Sequence, residues 1–341
     1  MKALVYTALK TLEMREIAEP RPEAGEVLVR VTATGICGSD IHGFLGHSAR
    51  RKPGLVLGHE AVGIVAALGD GVDSALLNTR VSINPLISCG HCAACSAGRQ
   101  NVCAQWRLLG LDTTQGGFAE AVVVPARNVI PLPEHVTDAA AVMIEPLANA
   151  IHLLSHMPAE AGLFPTAVIF GGGTLGAAIL AVARARGIRV LALSEPNPQR
   201  ARVAEELGAE YVINPRDADV VAEIHRLTNG RGVDIALDAV GLEVTRQSAA
   251  TVVARGGTVL LLGLDAGPTT FDFHDIIRRE VRLQCSFAYT ERAFAAAFEM
   301  VAQGVADFAP WTDMLPLSEG QRAFDRLVAD PGDRFKIALQ P

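Results

Sequence analysis

The sequence predicts an α/β protein of two domains, a β-rich one followed by a doubly wound parallel sheet. Three observations predict it. The chain has 341 residues, and a domain takes up about 150. In the first part, the strand candidates are short and bordered by glycine or proline. From about residue 150, apolar strand candidates alternate with helical patterns, as expected of a parallel sheet covered on both faces.

The elements follow in order. Glu26–Val31 alternates, and Ala61–Ala67 and Ala119–Pro125 are further short strands. Then come a strand at Ala167–Phe170, a helix at Leu175–Arg186, a strand at Arg189–Leu193 and a helix at Pro198–Leu207. Tyr211–Ile213, Asp234–Asp238 and Gly257–Leu262 complete the predicted sheet. Glu291–Ala302 is helical, and Phe335–Leu339 is a strand. That tail is too short for a domain and is expected to join the first one. The expected divisions are residues 1–148, 149–288 and 289–341.

Lys and Arg total 30 against 37 Asp and Glu, a formal net charge of −7. Such a balance gives no counterion-release argument for nucleic acid and no polybasic signature for anionic lipid. The opening residues do not read as a secretory signal, because Lys10, Glu13, Arg15 and Glu16 follow Thr7 at once. The uncharged run Ala161–Ala183 is long enough to span a bilayer. Pro165 and the glycines at 162, 171, 172, 173 and 176 make it read instead as a buried strand, a tight loop and a buried helix. The expectation is a cytoplasmic protein without membrane or nucleic-acid partners.

Four of the six cysteines lie within Cys89-x2-Cys92-x2-Cys95-x7-Cys103. Clustering in a long chain favours metal over a disulfide framework. Four soft sulfurs suit tetrahedral zinc with no open position, which makes the site structural. The same spacing is also open to an iron–sulfur cluster.

Gly171-Gly-Gly173-Thr174-Leu175-Gly176 follows a strand and opens a helix, the order a dinucleotide fingerprint requires. The first glycine makes the turn, the second admits a pyrophosphate, and the third lets helix and strand pack. Glu195 stands about 20 residues on, where a carboxylate accepts from the adenosine ribose. It favours NAD over NADP, although Arg200 and Arg202 lie close by.

Gly35-Ile-Cys37-Gly-Ser39-Asp40-Ile-His42 and Gly58-His59-Glu60 hold a further cysteine and histidine with nearby carboxylates. They fit a catalytic zinc with an open position. They equally fit a buried small hydrophobe and a satisfied core histidine.

Taken in order, Gly35-Ile-Cys37, Gly58-His59-Glu60, the cysteine loop, Glu145-Pro-Leu147 and the glycine fingerprint resemble the zinc-dependent medium-chain dehydrogenases. Within them, the resemblance is to the sorbitol, butanediol and threonine dehydrogenase branch, and it spans essentially the whole chain. It implies a GroES-like catalytic domain with a structural zinc lobe, and a Rossmann domain that binds NAD.

The resemblance implies that Cys37 and His59 are catalytic zinc ligands, with Glu60 a direct or exchangeable one. Glu145 falls where alcohol dehydrogenases have a third ligand cysteine and polyol dehydrogenases a glutamate. Ser39 matches the hydroxyl that hydrogen-bonds the alcohol, His42 the terminal proton acceptor, and Asp40 a carboxylate that orients a ligand. Arg200 resembles a contact to the adenosine ribose, Lys336 one to the pyrophosphate, and Leu262 to Leu264 flank the nicotinamide. The implied reaction is oxidation of a secondary alcohol, a polyol or vicinal diol, with hydride transfer to NAD. A hydroxy amino acid or a phosphorylated sugar alcohol is the alternative substrate. Zinc-free quinone reductases of this fold lack the cysteine loop, and a non-catalytic NAD-binding protein would not need both zinc sites. Family members form dimers or tetramers.

Overall fold

The computed structural model describes residues 1–158, 165–264, 267–330 and 332–341. Met1–Glu145 and Thr290–Pro341 form one compact unit and Pro146–Tyr289 another.

The first unit is built on a seven-stranded sheet. Its central strand, Glu26–Gly35, pairs antiparallel along one edge with Glu60–Leu68. Along the other edge it pairs first with Ala121–Pro125 and then with Lys336–Gln340. Having neighbours on both edges and apolar cover on both faces, it runs longer and is more continuously buried than simple alternation predicts. Val27, Val29, Val65, Val81, Val122 and Val124 fill one core. Leu4, Tyr6, Phe44, Leu57, Phe118 and Phe324 fill a second. The helix Gly320–Ala329 drives Phe324 between Phe44 and Phe118, at ring-centre distances of 5.1 and 5.9 Å.

The second unit holds a six-stranded, all-parallel sheet. Across it lie Tyr211–Ile213, Arg189–Ser194, Thr166–Phe170, Val233–Asp238, Val253–Leu261 and Arg282–Cys285. Counted along the chain, this is the doubly wound order 3-2-1-4-5-6, which leaves a crevice beyond the first strand where the order reverses. The last strand escaped the sequence reading, because its Arg282 and Gln284 carry no apolar signature and it lies at the sheet's edge. The fifth begins at Val253, earlier than expected, with its pairing shifted around Gly256 and Gly257.

Of the uncharged run Ala161–Ala183, residues 161–164, including Gly162, lie outside the described residues. The remainder is the strand Thr166–Phe170, the glycine turn and the helix Thr174–Ala185. Among the described residues no helix is long and apolar enough to cross a membrane.

Two measurements check this packing. Phe324 is fully buried, so Phe324→Ala should cost the first unit about 3–5 kcal/mol in denaturant unfolding. In the second unit, burial and the neighbouring His156 hold His152 down at about 4, below the ordinary histidine value of about 6.5. Between those pH values the unfolded chain binds the proton and the folded one does not. Stability should therefore fall as pH drops from about 6.5 towards 4, and His152→Gln should flatten that slope.

Candidate metal and dinucleotide sites

Cys37 caps the helix Gly38–Phe44 just past the end of the central strand, and His59 stands just before the neighbouring strand that Glu60 opens. The register sets Gly35 opposite Glu60, bringing together two segments far apart in sequence. The ligand atoms of Cys37, His59 and Glu60 all lie within 4.8 Å of one another. Sulfur, imidazole and carboxylate at that spacing suit zinc.

Asp40 is fully buried beneath this group. Its Oδ2 accepts from the Cys37 N–H at 3.1 Å, and its Oδ1 lies 3.5 Å from His59 Nδ1 and 3.4 Å from Arg51 Nη2. Burial alone would raise the Asp40 carboxyl, but the charges of His59 and Arg51 bring it down to about 2. Burial alone would lower His59, but Asp40 and Cys37 raise it well above the ordinary value. A metal at this site must therefore displace the imidazole's proton.

Ser39 stands in the first turn of the same helix, where its Oγ accepts from Arg51 Nη2 at 2.9 Å. His42 is half-buried in the last turn, its ring 5.9 Å from that of His47. Arg51 was missed by sequence reading. It sits between Arg50 and Lys52 and looks like one more solvated charge, yet it is buried while both of them are exposed.

Glu145 is buried in the first turn of the helix Ile144–Leu154 and stands apart from the 4.8 Å group. Its charge still acts on Lys336. The structure places that lysine, expected at the pyrophosphate, on a carboxylate. Instead of presenting a free ammonium to a pyrophosphate, Lys336 is buried, with Nζ 2.7 and 2.6 Å from the Glu60 oxygens and 3.1 Å from the Ile36 carbonyl. Burial would lower its pKa, but Glu60 and Cys37 raise it. The physical reason is that strand Lys336–Gln340 turns this side chain inward onto a carboxylate, a choice of face that composition does not reveal.

In the cysteine loop the sulfurs of Cys89 and Cys95 are 3.9 Å apart, those of Cys92 and Cys95 3.5 Å, and those of Cys92 and Cys103 3.9 Å. Four sulfurs about 2.3 Å from one zinc ion stand about 3.8 Å apart, so the donors fit a single tetrahedral ion. The backbone N–H groups of His91 and Cys92 lower the Cys89 thiol to about 6, whereas burial pushes Cys95 up to about 11. Thiols this close do not all ionise without a cation among them.

In the second unit, Gly171 adopts φ +95° and Gly173 caps the helix Thr174–Ala185, with Thr174 and Leu175 half-buried at its start. A Cβ on Gly176 would come 1.8 Å from the Gly171 carbonyl, so the helix crosses the turn at a distance only glycine permits. Glu195 is buried. Its Oε2 accepts from Gly172 N at 2.7 Å and its Oε1 from Asn197 N at 2.8 Å. Each oxygen retains acceptor capacity for a ribose hydroxyl. Arg200 Nη1 lies 3.5 Å from where a Gly173 side chain would begin. Leu262 is buried and Leu264 exposed, and the N–H groups of Leu262 and Gly263 both donate to the Asp238 carbonyl.

Comparison with known proteins assigns the class. Residues 23–134 match the alcohol dehydrogenase GroES-like domain and residues 174–303 the zinc-binding dehydrogenase domain. The chain belongs to the zinc-type medium-chain dehydrogenases, in the branch of the polyol and threonine enzymes. It is 32% identical to sorbitol dehydrogenase of Bacillus subtilis, covering 100% of this chain and 97% of that protein. It is 38% identical over 268 residues to L-threonine 3-dehydrogenase of Pyrococcus horikoshii, covering 78% of this chain and 76% of that protein. Among solved structures, it resembles that of the rspB dehydrogenase of Escherichia coli CFT073 complexed with NADH. The TM-score is 0.92 at 29% identity, covering 100% of this chain and 99% of that one.

The thiolate loop yields a direct check. Cys92→Ser should lose the metal of this loop and keep that of the Cys37 pocket, as read by elemental analysis. If the loop metal contributes about 2 kcal/mol, Tm should fall by roughly 4–8 °C.

Proposed function

We propose that the protein oxidises a secondary alcohol of the polyol or vicinal-diol class to a ketone, with hydride transfer to NAD. The observation that carries this reading is the convergence of Cys37, His59 and Glu60 on one pocket. The glycine turn, with Glu195 beneath it, supports NAD as the acceptor. When bound, zinc polarises the alcohol oxygen as a Lewis acid, and NAD accepts the hydride.

The protein's part follows from its own groups. Cys37 and His59 would hold the metal with Glu60 and, directly or through water, Glu145. Asp40, its Oδ1 3.5 Å from His59 Nδ1, would orient the imidazole through charge. Ser39 would take up the proton that the alcohol loses and pass it through His42 to solvent. Cys89, Cys92, Cys95 and Cys103 hold a second zinc that staples their lobe. Glu195 supports NAD over NADP because it would repel a 2′-phosphate, and Gly171 to Gly176, with Arg200, would hold the phosphates. Leu262 and Leu264 would border the nicotinamide. The net charge of −7 gives no support to a nucleic-acid partner. A cytoplasmic homodimer or homotetramer is the accompanying proposal.

The test is reduction of NAD across sorbitol, other polyols, 2,3-butanediol, threonine and simple alcohols, with a chelator-treated control. Zinc-dependent turnover of a polyol or vicinal diol is the expected outcome. Turnover of threonine alone would move the substrate to the hydroxy amino acids, the reading favoured by the Pyrococcus relative. Cys37→Ser and His59→Ala should each leave less than about 1% of turnover while NAD binding, measured by calorimetry, persists. Loss of NAD binding in His59→Ala would contradict this division of labour.

A further inference from the structure

The first unit spends a buried guanidinium where no ligand role falls. Arg51 lies in the loop before Leu55, its side chain 6% exposed. Its stem runs against Gly43, where an added Cβ would come 2.2 Å from Arg51 Cδ and 3.0 Å from its Cβ. Among the described residues its guanidinium donates through Nη2 to Ser39 Oγ at 2.9 Å and Asp40 Oδ1 at 3.4 Å, and its Nε meets no acceptor. Burying a guanidinium is costly. An apolar side chain would fill the space over Gly43 at lower cost, so packing alone does not account for a cation here.

We propose that Arg51 is a positioning residue of the alcohol site, fixing the direction of the Ser39 hydroxyl and locking it to the carboxylate that holds His59. The proposal rests on the dehydrogenase reading above. A guanidinium donates and never accepts. The hydrogen bond from Nη2 therefore occupies one lone pair of Ser39 and forces the Ser39 proton to point away from Arg51. A serine hydroxyl without such a neighbour rotates among staggered positions. Asp40 accepts from the same guanidinium and from the Cys37 N–H, and its Oδ1 lies 3.5 Å from His59 Nδ1. Ser39 is thereby tied to the frame that carries two metal ligands. Gly43 is part of the device, because any side chain there expels the arginine stem without altering a charge.

The test uses the full chain carrying zinc, and carrying Co2+ for spectroscopy. It compares Ser39→Ala, Arg51→Met, Arg51→Lys, Gly43→Ala and the double variant S39A/R51M with the parent protein. Parent turnover is measured first, and its absence across the alcohol panel overturns the dehydrogenase reading. The Arg51 question is judged separately, on the Co2+ d–d spectrum titrated with trifluoroethanol, an alcohol that resists hydride loss. In Arg51→Met the resting spectrum and metal content should be unchanged, while the titration midpoint should shift by about tenfold or more. If the parent turns over, kcat should fall about 10²-fold, as expected of a misplaced group, with NAD affinity retained. The double variant should be no worse than Ser39→Ala, the signature of one shared interaction. Gly43→Ala should reproduce Arg51→Met, and Arg51→Lys should recover part of the loss. Multiplicative losses in the double variant, a parent-like Arg51→Met, or loss of metal or of the resting spectrum in Arg51→Met would each overturn the proposal. The last would mark Arg51 as merely structural.

Discussion

The pairing of Gly35 with Glu60 across two antiparallel strands decides where the chemistry of the first unit sits. A Cβ on Gly35 would come 2.1 Å from Glu60 Oε2 and 3.0 Å from Lys336 Cδ. The bare glycine leaves the slot in which a buried carboxylate and a buried ammonium meet. The register also fixes the ends of the strands, placing Cys37 just beyond one and His59 just before the other. A slip of one residue would turn Glu60 to the opposite face and dissolve the group. Charged groups this deep survive only when paired. Lys336 does that for Glu60, while Asp40 has His59 and the Cys37 N–H as well as Arg51.

Much of this was legible from residue types and spacing. The cysteine loop announced its chemistry because four thiols at short intervals have few other uses, and the sulfur distances follow from that spacing. The glycine turn was legible because each glycine answers a separate steric demand, and Gly176 against the Gly171 carbonyl is the plainest. Strands such as Thr166–Phe170 were legible because a parallel sheet buries both faces and leaves apolar runs.

What the sequence hid has a common cause: it concerned which way a polar side chain points. Lys336 is one basic residue among 30 Lys and Arg, and only the tertiary fold turns it onto Glu60. Arg51 lies in the run Arg50-Arg51-Lys52, where local pattern cannot single out the buried member. The edge strand Arg282–Cys285 carries polar residues because an edge tolerates them, which erases the signal used to find strands. Glu145 shows the same limit in milder form. Its position in the chain was noted, but its separation from the 4.8 Å group depends on where a helix begins.

The pairing of Lys336 with Glu60 also bears on the order of folding. The two residues stand 276 positions apart, and the Ile36 carbonyl that completes the lysine's contacts is 300 away. Pro146–Tyr289 is a continuous stretch whose contacts form without either flank, whereas the first unit is assembled from both sides of it. Closing a loop that long carries a large entropic cost before any contact repays it. Until the last strand docks, Glu60 lacks its ammonium partner. A divalent ion arriving early would compete for that carboxylate before the lysine reaches it. The order in which strand and metal arrive thus becomes a kinetic property of the chain, set by its topology.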